Sequence, residues 1–235
     1  MTRAAAAAVG DAAATFLELV SARQGHFQLE SGHHGALWLD LDGLFVEPHR
    51  IEPLVARLSA ALRAHDVASV CGPLVGGAFL AQSVATALGA EFSFTERIPA
   101  AGSDGMYRAR YRLPPALARR VQGKRIAIVD DVMSAGSAAR GTYAELQACG
   151  AQVVVVGALL VLGSAGVEFF ANHGVAVEAV ARGPYQLWEP AGCPLCAAGA
   201  PLEKSDRRPS QWPLAGPPGR TVIAGRPAWP EPGRS

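Results

Sequence analysis

Asp130 and Asp131 stand together at the end of a short β-branched run, Ile126-Ala-Ile-Val129. After Val132 and Met133 come five small residues, Ser134-Ala135-Gly136-Ser137-Ala138. Residue types in this order suit two different kinds of group. A small-residue loop that opens a helix aims several backbone N–H groups at one point, and the helix dipole adds positive potential there. Gly136 and its neighbours let an anion come close to the backbone, and Ser134 and Ser137 add hydroxyl donors. Such a loop suits a phosphate. The two carboxylates cannot bind that phosphate directly, so they must face something else: sugar hydroxyls, a metal, or both. An ordinary strand–turn–helix with an acidic N-cap explains one acid, but not two acids followed by five small residues.

These groups need a buried strand before the acids and a helix behind the loop. Ile126–Val129, led in by Lys124-Arg125, reads as a strand buried on both faces, and Ala139 to about Cys149 has a helical pattern. A second unit of the same kind lies upstream. Val67 to Cys71 reads as a buried strand, and Gly72-Pro-Leu-Val-Gly-Gly77 as a turn opening a helix to about Leu88. Leu74, Val75, Gly76 and Gly77 therefore offer a second set of exposed N–H groups. An amphipathic helix over 48–64 carries Ile51, Leu54, Val55, Leu58 and Leu62 at helical spacing. Further strands fall at Glu91–Thr95, Val153–Leu162 and Val175–Ala181, with a short helix over 164–172. The alternation from 67 to 181 implies an α/β fold with a doubly wound, mostly parallel sheet. Ligands of such sheets bind outside the carboxyl ends of the strands, where both small-residue turns must lie. A substrate with a phosphate at one end and a pyrophosphate at the other would fit them.

At the front of the chain, residues 1–23 read as a helix. Gly25–Glu30 and Ala36–Leu41 read as strands joined by a turn at Ser31-Gly-His-His-Gly35. Residues 98–105 form a segment of small and structure-breaking residues before Met106–Leu113. In a strand over 106–113, Arg108, Arg110 and Arg112 share one face and Tyr107, Ala109 and Tyr111 the other. That is either a charged edge strand or a mobile flap beside a polyanion. From about Pro201 the sequence becomes rich in Pro and Gly, so residues 1–204 are expected to form the domain and 205–235 an extended or disordered tail.

The 235 residues are half hydrophobic, enough for one domain with a large core, and 21 basic residues balance 20 acidic ones. That balance argues against nucleic acid as the main partner. No apolar run reaches membrane-spanning length, and Ala4–Ala14, broken by Gly10 and Asp11, makes a poor leader, so a cytoplasmic protein with small-molecule partners is expected. Trp38 is placed either to stack on a flat base or to pack in the core. His33 and His34, adjacent in a turn, read as surface residues. Cys193-Pro-Leu-Cys196 supplies two zinc ligands where about four are needed, and the sequence has no second such pair; no protein metal site is expected. Cys71 and Cys149 read as buried.

With these residues laid out, the chain resembles the orotate phosphoribosyltransferases of the type I phosphoribosyltransferase family, from about residue 14 to 204. The likeness rests on Gly25-His-Phe…Ser31-Gly32, Gly72-Pro73…Gly77, Phe94-Thr-Glu-Arg97 and Asp130-Asp-Val-Met-Ser-Ala-Gly-Ser-Ala138. Trp188-Glu-Pro-Ala-Gly-Cys-Pro-Leu-Cys196…Pro201-Leu-Glu-Lys204 looks like the C-terminal segment of one bacterial branch. The resemblance implies a phosphoribosyltransferase fold with a small hood from about 24–42 and 183–204, and a homodimer. It implies transfer of 5-phosphoribosyl from phosphoribosyl pyrophosphate (PRPP) to a nitrogenous base, with Mg2+ and release of pyrophosphate. Residues 130–138 would hold the 5-phosphate and ribose, residues 74–77 and Arg97 the diphosphate, and Ser134, Trp38 and Leu162 would lie at the acceptor. Three departures stand out. The segment 98–105 has no Lys or His, and Glu30 and Gly76 stand where relatives carry lysines. Leu162 stands where they carry the arginine that pairs with the orotate carboxylate.

Overall fold

The hydrophobic pattern that separates strands from helices is followed closely in a computed structural model, which describes residue 16 and residues 19–41, 43–98 and 106–204. The described chain begins with a hairpin of β1 (Ser21–Gln28) and β2 (His34–Asp40). Then come α1 (Pro48–Leu62), β3 (Ser69–Pro73), α2 (Gly76–Leu88), β4 (Glu91–Ile98) and β5 (Arg110–Arg112). After α3 (Pro115–Val121) follow β6 (Arg125–Met133), α4 (Ser137–Ala148), β7 (Gln152–Leu162), α5 (Ala165–Asn172) and β8 (Ala176–Gly183). A one-turn helix, α6 (Pro194–Ala197), precedes β9 (Glu203–Lys204).

Strands β3 to β8 form one sheet in the order β5-β4-β3-β6-β7-β8, and all neighbours are parallel except β5, which runs antiparallel along β4. Alternation along β6 shows how the sheet is covered on both faces. Ala127 and Val129 join the apolar cluster that contains Ile51, Leu54, Leu58 and Leu62 of α1 and Leu80 and Val84 of α2. Ile126 and Ile128 join the other cluster, with Val121 of α3, Leu146 of α4 and Phe170 of α5. The protein is therefore an α/β fold with a doubly wound, mostly parallel sheet. A second sheet, in the order β2-β1-β9, brings the N-terminal hairpin and the C-terminal segment together as a small hood.

Several expectations are corrected. β6 runs through the acids to Met133, because Asp130 to Met133 keep pairing with β7. Only three residues of 106–113 form a strand; Tyr107 has a φ of +55° and lies in a turn, so its side chain does not continue the alternation of β5. β1 starts at Ser21, so a helix cannot extend to 23; residues 1–15 lie outside the described residues, as do 99–105 and 205–235. Helix α3 is an addition to the sequence-based elements; Pro115 is its first helical residue, where a missing N–H costs nothing. His34 is buried, at 3% exposure, and is not a surface residue. Cys71 is buried as expected, while Cys149 is only partly so.

Candidate active site

β3 and β6 are neighbours in the sheet, so whatever follows Pro73 meets whatever follows Val129. After β3 the chain turns through Leu74 and Val75, which are exposed and joined by a cis peptide, into α2 at Gly76. The turn closes backbone on backbone: a Cβ on Gly72 would lie 2.0 Å from the Gly77 carbonyl oxygen. Its first amide, that of Leu74, donates to the Thr95 carbonyl at 2.8 Å. The acids of β6 lie directly against this turn. A Cβ on Gly76 would lie 2.0 Å from Asp131 Oδ2, and one on Gly77 would lie 2.9 Å from Asp130 Oδ1. A side chain at 76 would displace the Asp131 carboxylate, and one at 77 would meet the Pro73 ring, at 2.6 Å, before Asp130.

Past the acids, Ser134 to Gly136 bend into α4. Gly136 takes a φ of +75°, which glycine adopts at little cost. The Ser134 carbonyl accepts the Gly166 N–H at 3.0 Å, tying the loop to the start of α5. Among the described residues, the amides of Ala135, Gly136 and Ala138 donate to no backbone carbonyl, so the loop has kept its donors for another acceptor.

Both aspartates are buried, at 8% exposure each. Asp130 Oδ1 accepts the Asp131 N–H at 3.1 Å, and Asp131 Oδ1 accepts the Val132 N–H at 2.7 Å. Burial pushes the Asp130 carboxyl well above the usual carboxylate range, and the charges of Asp131 and Glu30 push the same way. Burial also raises Asp131, partly offset by the Val132 amide, which favours its ionised form. A buried acid pair between two sets of backbone donors is complementary to a molecule with anionic ends and hydroxyls, or a cation, in the middle.

The phosphoribosyl transferase domain family matches residues 46–172, more than half of the chain and the whole stretch from α1 to α5. The chain is 31% identical over 187 residues to an orotate phosphoribosyltransferase of Thermotoga maritima, covering 79% of this chain and 91% of that protein. It is 28% identical to one from Caldanaerobacter subterraneus, over 82% of this chain and 94% of that protein. This chain is a type I phosphoribosyltransferase. Among solved structures, the adenine phosphoribosyltransferase of Rhodothermus marinus superposes with a TM-score of 0.57 at 18% identity, over 74% of this chain and 99% of that one. The orotate phosphoribosyltransferase of Aeropyrum pernix gives 0.52 at 21% identity, over 70% and 88%. These two likenesses concern the fold.

In this phosphoribosyltransferase the remaining residues singled out from sequence fall into two groups. Arg97, half exposed at the end of β4, places its Nε 3.0 Å from Glu30 Oε1. The same carboxylate accepts the Tyr111 hydroxyl at 3.0 Å. Burial and the adjacent Glu30 raise the Tyr111 hydroxyl far above the ordinary tyrosine range, so it stays a donor. Glu30 therefore orients Arg97 at the end of β4, and its charge is felt at Asp130. The pairing of Glu30 with Arg97 spans 67 positions and leaves no local signal in the sequence. Arg140, in the first turn of α4, lies between the rings of Tyr107 and Phe169, 4.2 Å from each centroid, and donates to the Ala165 carbonyl. It fastens the residues after the 98–105 segment to α4 and α5.

Trp38 and Leu162 belong to the second group. Trp38 sits 6.0 Å from the Phe27 ring, on the opposite side of β2 from Leu39, which packs on the main core. Leu162 is partly buried against that same core. Both side chains are partly exposed, and these contacts are apolar.

Proposed function

We propose that this phosphoribosyltransferase transfers the 5-phosphoribosyl group of PRPP to a ring nitrogen of a pyrimidine-like base and releases pyrophosphate. One observation carries the reading: the acid pair lies between two glycine-bearing turns that open helices at the same sheet edge. The loop Ser134-Ala135-Gly136-Ser137-Ala138 takes the 5-phosphate through its amides. Asp130 and Asp131 accept the ribose hydroxyls, and Val132 and Met133 carry the backbone between the two subsites. Leu74, Val75, Gly76 and Gly77 receive the diphosphate, with Arg97 as the adjacent cation. As the C1–oxygen bond breaks, both electrons leave with pyrophosphate and positive charge grows on the sugar. The base nitrogen then supplies the pair for the new C1–N bond. Reactions of this kind depend on positioning and on charge placed before the event.

The residues present fit Mg2+. Asp130 and Asp131 are adjacent buried hard oxygen donors, and with Glu30 they set up a negative potential that a cation would relieve. Asp130 and Asp131 would hold the ion together with the ligand's own oxygens. When bound, Mg2+ supplies neutralisation of the departing diphosphate.

A second reading of the acceptor follows from Leu162. Its side chain packs on the apolar core at the place where orotate enzymes carry the carboxylate-binding arginine. An acceptor without that carboxylate, met by Ser134 and apolar neighbours, suits this chain better than orotate. Loss of a charge-assisted bidentate contact costs about 2–5 kcal/mol. Pyrophosphate release with PRPP, Mg2+ and a panel of pyrimidines and related rings tests both readings. Turnover with a carboxylate-free ring above that with orotate is the expected result. Binding of PRPP by calorimetry without turnover on any ring would instead make the chain a PRPP sensor. A homodimer is the expected assembly, checked by light scattering in solution.

A further inference from the structure

The hood contains a second cluster of reactive side chains, separate from the acid pair. His26 lies where β1 bulges against β2, between the Gln24–Leu37 and Phe27–Gly35 pairings; such a bulge re-aims a side chain. It brings His26 Nε2 to 3.0 Å from His34 Nδ1. Cys193 and Cys196, at the start and on the single turn of α6, approach the same point. Cys193 Sγ is 3.4 Å from His26 Nε2, and Cys196 Sγ is 3.7 Å from His26 Nε2 and 3.3 Å from His34 Nδ1. The four atoms all lie within 4.8 Å of one another. His26, His34 and Cys193 are buried, while Cys196 faces the rim.

We propose that His26, His34, Cys193 and Cys196 bind one zinc ion that fastens the C-terminal segment to the hood. Three observations carry this. First, zinc bonds of about 2.0–2.1 Å to nitrogen and about 2.3 Å to sulfur, at tetrahedral angles, place N and N about 3.3 Å apart and N and S about 3.6 Å apart. The one nitrogen–nitrogen and three nitrogen–sulfur separations given above fall within a few tenths of an ångström of those values. Second, His26 Nδ1 lies 2.9 Å from the Ala200 carbonyl. That carbonyl accepts only from a protonated Nδ1, which leaves the Nε2 lone pair aimed at the other three atoms. Fixing the tautomer in this way is how metal-binding histidines are oriented. Third, ordinary hydrogen bonds account for the cluster poorly. His26 Nε2 can accept one proton well, yet His34 Nδ1 and both sulfurs crowd it. Two thiolates and two imidazoles around one point favour zinc over the oxygen-seeking cations, and four protein ligands leave no open position, so the site is structural.

The ion would join elements the chain otherwise links weakly. β9 has only two residues, and the Cys193–Cys196 segment is tied to β2 chiefly by the paired backbone hydrogen bonds of His34 and Trp188. The turn between β1 and β2 carries Glu30 and also Ser31, whose carbonyl accepts the Tyr107 N–H at 2.8 Å. Zinc in the hood thus positions Glu30 and, through it, Arg97.

The full chain purified with reductant and without chelator should carry one zinc per polypeptide by elemental mass spectrometry. Exchange for Co2+ should give the intense visible bands of tetrahedral cobalt together with a thiolate charge-transfer band. Cys196→Ser removes the exposed ligand and leaves the buried three in place. It should weaken zinc at least about tenfold while the far-ultraviolet circular dichroism stays that of the wild type. Chelation should lower the thermal midpoint of the wild type and leave that of the Cys193→Ser/Cys196→Ser chain unmoved. A folded, reduced wild-type chain that takes up neither Zn2+ nor Co2+ overturns the proposal. So does purification with Cys193 and Cys196 joined as a disulfide, two hydrogens lighter, with no metal uptake after reduction. Because the readouts are metal content and spectra, the result stands apart from whether the chain turns over PRPP.

Discussion

Ile126, Ile128, Val156 and Leu159 are fully buried in the six-stranded sheet, whereas the buried side chains of the hood include His26, Ser31, His34 and Cys193. Both regions are sheets of this one chain, but they are held differently. The large sheet excludes water over two apolar clusters, and its strands need no partner beyond helices already at hand. The hood is too small to do the same, since a hairpin and a two-residue strand bury little apolar area. A small sheet next to a ligand site gains rigidity more readily from specific bonds than from area. The site lies in the large sheet, and its acids are tolerated there because that sheet is stable enough to carry them.

The comparison can be broken most forcefully at the large core. Phe170→Ala removes a fully buried ring from the cluster under α5 and should cost about 3–5 kcal/mol in urea unfolding, with no change in zinc content per folded chain. Asp130→Asn/Asp131→Asn separates activity from stability. It should lower kcat/KM at least about 100-fold, roughly 2.7 kcal/mol, without lowering the thermal midpoint, because it removes two buried carboxyls whose ionisation burial disfavours. An equal fall in both would mean the acids serve the fold. Gly136→Ala places a Cβ on a residue at φ +75° and should cost about 1–2 kcal/mol, with a rise in KM for PRPP larger than the fall in kcat.

The smallest effect is expected at the far edge. Glu91 accepts from Lys124 and Arg120, which hold its carboxyl below the usual range. A depressed folded value stabilises above the unfolded one, about 4.5, and that contribution is lost as pH falls through the folded value. Glu91→Gln should therefore lower the thermal midpoint slightly at neutral pH, and the difference from wild type should vanish in acid. A difference that grows in acid would reverse the assignment.

The sequence made the large sheet legible and the hood's interior opaque, for physical reasons. Residues that form each strand or helix of the large sheet are contiguous, so period and composition report them directly, as Ile51, Leu54, Val55, Leu58 and Leu62 do for α1. The loop after Met133 was equally local. By contrast, His26 and Cys193 meet across 167 positions, and neither neighbourhood hints at the other. The same distance problem hid the pairing of Glu30 with Arg97. The extent of β6 is hidden because two acids look like the end of a strand, whereas pairing with β7 continues through them. Tyr107 departed from the alternation of β5 because a left-handed residue breaks it, which no periodicity can register.

The contact between Gly76 and Asp131 couples two positions far apart in the chain. With Asp131 Oδ2 where a β-carbon would go, no side chain can enter at 76 unless the acid first yields its place. Gly76→Ala should therefore fold with the Asp131 carboxylate displaced and lose activity for that reason, whereas Gly76→Ala combined with Asp131→Gly should fold without that displacement and be equally inactive.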